Sequence, residues 1–112
     1  MLRNQQAAGA ASKLRYVEVT NAQHFDNFLP FAGYDTRFIP LHPYYIRAMA
    51  AMWAHLKNGA ALPGSQELRT TPRGGTPGAA NAIEGSNVPA IAFAPVAGDR
   101  ISVNATTMTI LD

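Results

Sequence analysis

The sequence predicts an α/β chain that belongs to a larger sheet domain. Three observations carry the prediction: a strand near the N-terminus with apolar residues on both faces, an amphipathic helix after it, and too few other strands to complete a sheet. Composition divides the chain into residues 1–60, with regularly spaced aliphatic and aromatic side chains, a Pro/Gly-rich arm over residues 61–99, and a terminal β segment over residues 100–112.

Each element has a local reason. Residues 2–12 are rich in Ala and Gln, good helix formers, and predict a first helix despite Gly9. Residues 14–20 predict a strand, because Tyr16, Val17, Val19 and Thr20 are aromatic or β-branched. Leu14 and Tyr16 point to one side and Val17 and Val19 to the other, the pattern of a strand covered on both faces. Residues 21–38, rich in Asn, Asp, Gly and aromatics, read as a long loop. From Pro43 to about Asn58, Tyr45, Met49, Met52, Trp53 and Leu56 recur at helical spacing, and this stripe reads as core packing. Pro43 suits the first turn, where its missing N–H is no loss. Lys57 suits the negative end of the helix dipole, and Gly59 a left-handed cap.

Prolines and glycines then crowd residues 62–98 and disfavour long helices and central strands, so residues 61–99 read as an extended, loop-rich arm. Residues 100–111 alternate apolar and polar side chains and read as one or two strands. The doubly apolar strand therefore has only the terminal segment as a partner. A two-stranded sheet is marginal in water, so the chain asks for a sheet that it does not contain.

Composition narrows the function classes. Of the 112 residues, 47% are hydrophobic, enough for a core, and 14% are charged against about 25% in an ordinary soluble domain. The thin charged coat suits a chain that hides surface against something else. A formal charge of +2 with scattered basic residues leaves no cluster to track a phosphate backbone, so no nucleic-acid partner is expected. The absence of cysteine excludes a disulfide scaffold, a Cys-based zinc site and a thiol nucleophile. His24, His42 and His55 are too spread out for a metal cluster, so neither metal nor cofactor is expected. No apolar run approaches the roughly 18 residues of a membrane span, and no targeting segment is read at the N-terminus.

The chemistry-bearing spot is Thr20-Asn21-Ala22-Gln23-His24-Phe25-Asp26, a histidine just past the end of a strand. In α/β-hydrolases the triad runs Ser, then Asp or Glu, then His, with the His on a loop after the last core strand. Imidazole suits the task because its ordinary pKa lies near neutrality. The plainer reading of such a histidine is a hydrogen-bonded loop residue. No serine of the chain lies in a G-x-S-x-G motif, and the only acid before His24 is Glu18, inside the strand. If His24 is catalytic, its partners lie outside these residues. Asp35 and Arg37 either pair with each other or anchor the loop, while Phe25, Phe28, Phe31, Tyr34 and Phe38 either line an apolar acyl pocket or pin the loop down. Gly74-Gly75-Thr76-Pro77-Gly78 lacks the Gly-Lys-Ser/Thr ending of a phosphate loop, and Asn104-Ala105-Thr106 matches a glycosylation sequon.

Longer strings add a resemblance. Residues 14–26, residues 33–42 (Gly-Tyr-Asp-Thr-Arg-Phe-Ile-Pro-Leu-His), residues 52–59 and residues 69–74 resemble the C-terminal part of the D-3-hydroxybutyrate oligomer hydrolases. These are bacterial serine esterases of poly(3-hydroxybutyrate) breakdown, generally regarded as secreted, that cut short oligomers to monomers. The resemblance implies a C-terminal fragment of an α/β-hydrolase fold: helix, last sheet strand, histidine loop and helix. It implies His24 as the triad histidine, 3-hydroxybutyrate oligomers as substrate, an extracellular or periplasmic location, and the remainder of the hydrolase domain as the partner. The nucleophilic serine, the acid and the oxyanion donors have no counterpart here, so the isolated chain is expected to be inactive. The alternative is a non-catalytic docking or remnant module, whose low charge, aromatic loop and unpaired strand serve to bind a partner chain.

Overall fold

The structure is a computed structural model that describes residues 13–103 and 108–110. The helix expected over residues 2–12 and the sequon at Asn104 lie outside the described residues.

Its frame is a strand–helix–strand unit. Strand β1 (Val17–Val19) pairs in parallel with β2 (Gln66–Leu68), Val17 opposite Gln66 and Val19 opposite Leu68. Parallel neighbours need a long crossover, and here it contains two helices, α1 (Tyr34–Arg37) and α2 (His42–Asn58). The partner of β1 thus comes from the segment expected to be an extended, loop-rich arm, not from the terminal segment. Gln66 explains how so short and polar a strand holds. Its side chain is 2% exposed and behaves as a piece of backbone. Nε2 donates to the carbonyls of Gly64 (2.8 Å) and Ala92 (2.7 Å), and Oε1 accepts from the Ala92 amide (2.9 Å). A buried amide costs little when every group is paired. Ser65 adds to the junction by accepting from the Tyr16 amide at 3.1 Å.

The same arm carries a tight antiparallel hairpin, β3 (Gly75–Thr76) with β4 (Ala79–Ala80). Gly75 has φ of 95°, and a Cβ there would stand 2.7 Å from the Asn81 amide nitrogen, so no other residue fits. At the far end β5 (Ile101–Val103) pairs antiparallel with β6 (Met108–Ile110).

Helix α2 starts with Pro43 in its first turn and ends at Gly59, whose φ of 67° is left-handed and whose amide donates to the His55 carbonyl at 2.9 Å. Its apolar stripe does not form a core. Tyr45, Met49, Met52, Trp53 and Leu56 are 41–69% exposed, and Tyr44 is the buried residue of the helix. The spacing marks a face that seeks cover, and the described residues do not supply that cover. Tyr44 donates its hydroxyl to the Pro89 carbonyl at 2.9 Å. Burial raises its phenol above the ordinary value of 10.0, against the opposing pull of the nearby Arg47 guanidinium.

The main core is small: Ile39, Tyr44 and Leu68, with Val17, Val19, Ala22, Val88 and Ile91 packed around them. These are fewer than the thirteen large hydrophobics left exposed among the described residues. No described helix is long and apolar enough to cross a membrane.

Candidate functional site

His24 stands on a loop that leaves the C-terminal end of β1, the end of a parallel sheet where ligands characteristically bind. A threonine lies just beyond each strand, Thr20 one residue past β1 and Thr70 two past β2, and the two are laced together. Thr20 Oγ1 accepts from the Thr70 amide at 2.9 Å, and the Thr70 hydroxyl donates to the Thr20 carbonyl. Asn21 then turns the chain out of the strand with a φ of 53°, a left-handed conformation that Asn tolerates better than most residues. Its side chain holds the turn by donating to the Thr70 carbonyl at 2.8 Å. The loop returns at fully buried Ile39, whose amide donates to the Asn21 carbonyl at 2.8 Å. Its two ends therefore meet.

The interior is anchored by two aspartates. Asp26 accepts from the amides of Leu41 (2.7 Å) and His42 (2.8 Å), one on each carboxylate oxygen. Leu41 is the N-cap position of α2 and caps nothing with its own side chain, so Asp26 caps the helix from across the loop. Asp35, 5% exposed, accepts from Gly33 (2.9 Å) and from Gly78 in the β3–β4 turn (2.7 Å). Arg73 Nε reinforces this contact on the Asp35 carbonyl at 2.6 Å. Arg37 donates to the Gly33 carbonyl at 2.9 Å. Asp35 and Arg37 are thus loop anchors that work through backbone groups, without an ion pair between them.

His24 itself is exposed and meets the Phe25 ring edge-on, centroids 4.2 Å apart. From Phe25 a ladder of rings continues through Phe28 to Phe31 and Tyr34 and on to Phe38, with centroids 5.4–6.2 Å apart. Phe25, Phe28 and Phe31 are 42–60% exposed, so the ladder lies on the surface beside His24 rather than in a core. Among the described residues no acid bonds His24: Asp26 and Asp35 are engaged as above, and Asp99 and Glu67 pair with Arg69. His42 stacks on Tyr45, and His55 donates from Nδ1 to the Ala60 carbonyl at 2.7 Å, so neither joins His24. No group of three possible metal ligands occurs among the described residues.

Sequence reasoning picked out His24 and its aromatic neighbours and missed Asn21, Asp26 and Thr70, which hold them. The left-handed preference of Asn was the one local signal; the bonds of Asp26 and Thr70 span distant positions that no short motif records.

In open parallel sheets ligands bind in the crevice at the carboxyl ends of the strands, the end at which this histidine loop stands. Comparison with known proteins goes further. The family model described as 3HB-oligomer hydrolase matches residues 1–112, and the chain belongs to that family. A D-(-)-3-hydroxybutyrate oligomer hydrolase of Paracidovorax citrulli is 54% identical over 113 residues, covering 97% of this chain and 16% of that protein. The proteins of the same name from Burkholderia ambifaria and Polaromonas naphthalenivorans are 61% and 55% identical over 82% and 97% of the chain. The chain spans 13–16% of the length of these relatives. No solved structure matches it.

Proposed function

We infer that these residues form the histidine-bearing part of an α/β-hydrolase-type serine esterase that cleaves 3-hydroxybutyrate oligomers to monomers, outside the cytoplasm. The observation that carries the reading is His24, exposed on a loop clamped at both ends beyond a parallel strand, in a chain of the 3HB-oligomer hydrolase family. In the whole protein His24 takes the proton of a serine hydroxyl as that oxygen attacks the ester carbonyl. The imidazolium then protonates the departing 3-hydroxyl oxygen of the cleaved unit. In the second half His24 takes a proton from water as the water oxygen attacks the acyl carbonyl. The imidazolium then returns that proton to the serine oxygen as the acyl–serine bond breaks and the carboxylic acid leaves. The serine, the acid that orients the imidazole and the oxyanion donors come from the rest of the enzyme. The exposed rings of Phe25, Phe28 and Phe31 suit the apolar methyl and methylene edges of a hydroxybutyrate unit.

The test is a chimera: the Paracidovorax citrulli hydrolase with its matched segment replaced by this chain. His24→Ala should lower turnover on a hydroxybutyrate dimer by about 10⁴-fold or more, because triad members act as a unit. A variant within a few-fold of the parent chimera would refute the assignment. The isolated chain should show no esterase activity.

A further inference from the structure

Strand β1 has a bare edge. Its bonds to β2 run through the Tyr16 carbonyl, 2.9 Å from the Gln66 amide, and the Thr20 amide, 3.1 Å from the Leu68 carbonyl. The alternation of a parallel ladder turns the amides and carbonyls of Val17 and Val19 to the opposite side. Among the described residues no strand lies there, and the sheet that holds β1 has two strands. Beside this region opens a groove of about 560 Å³ between β1 and α2. Val17 lines it from the strand, Met49, Met52 and Leu56 from the helix, and Leu62 and Ile91 close the other side. Met49, Met52 and Leu56 belong to the stripe left uncovered on α2.

These features have a common explanation. Parallel strands are found covered and flanked, not as isolated pairs. A helix lying over an edge strand leaves a gap where the next strand of the sheet would run. The chain also spans only 13–16% of the length of its relatives, so in a protein of that length most of the sheet is supplied from elsewhere. We propose that the bare edge of β1 and the groove beneath α2 receive a strand from the remainder of the hydrolase chain. The strand hydrogen-bonds Val17 and Val19 and fills the groove with large apolar side chains. This deepens the reading above by naming the surface through which the histidine part joins the rest of the enzyme, and it rests on that reading for its partner.

Amide hydrogen exchange tests it without altering the interface. In the full-length chimera the Val17 and Val19 amides should exchange at least about 100-fold more slowly than in the isolated 112-residue chain. Equal exchange in the two proteins would overturn the proposal. So would protection already present in the isolated chain as a dimer, because the occupant would then be a second copy. Met52→Asp should abolish the added protection in the chimera while leaving the helix content of the isolated chain unchanged. Protection that survives Met52→Asp would remove the groove from the interface and overturn the proposal. The catalytic reading fails separately: His24→Ala affects turnover and leaves exchange at Val17 and Val19 untouched.

Discussion

Asp26→Ala removes the carboxylate that caps the N-terminus of α2, and the structure sets the size of the effect. Two charge-assisted bonds, 2.7 Å to Leu41 and 2.8 Å to His42, disappear together. Loss of an N-terminal cap costs about 1 kcal/mol and reaches about 2. The carboxylate at the positive end of a helix adds about 0.3–1 kcal/mol. The helix has 17 residues and lacks an acidic residue in its own first turn, so its own sequence offers no substitute. The sum is about 2 kcal/mol for Ala. Asn keeps one acceptor and loses the charge, so Asp26→Asn should cost about 1 kcal/mol. Urea unfolding followed by far-ultraviolet circular dichroism reads the difference directly. With a slope of about 1–3 kcal/mol per molar for a small protein, the Ala variant should lower the midpoint by about 1 M. A shift below about 0.3 M would refute the cap, and equal losses for Asn and Ala would refute the share given to charge.

Two further substitutions test other anchors. Asp35→Ala leaves the Gly33 and Gly78 amides without their acceptor at a nearly buried site, and should cost about 3 kcal/mol, with the β3–β4 turn becoming the first point of cleavage in limited proteolysis. Tyr44→Phe deletes the bond to the Pro89 carbonyl and should cost about 1 kcal/mol near neutral pH. Its pH dependence has a fixed sign. The folded phenol holds its proton more tightly than the unfolded one because burial raises its pKa, so its contribution is present below the ordinary tyrosine value and fades as pH rises through and above about 10. Paired melts across that range should show wild type and variant converging; a gap that widens with pH would refute the account.

Much of the frame was legible in the sequence. Pro43 and Gly59 bracket α2 for reasons that are local, and the β-branched run at Val17–Val19 announces a strand. Strand β2 was not legible, because Gln66-Glu67-Leu68 sits among glycines and prolines and carries little β signal. It is held by a glutamine whose partners at Gly64 and Ala92 are set by tertiary structure. The stripe of α2 was legible as a face but misread as a core, since periodicity reveals that a surface is apolar and not what lies against it. At the site, His24 could be read from its place after a strand. Its supports could not, since Asn21 to Thr70 spans 49 positions and Asp26 to His42 spans 16.

The parallel pairing also fixes an order of events during synthesis. The Tyr16 amide finds the Ser65 hydroxyl only after 49 further residues have been added. At about 5–20 residues per second that delay is about 2–10 s, far longer than the microsecond in which a helix such as α2 can form. Throughout that interval the edge of β1 that will meet β2 is unpaired, and α2 forms before that pairing exists. The nascent chain is therefore most open to wrong pairing between the release of Val19 and the arrival of Gln66, and a chaperone that shields short β-branched segments would act in that window.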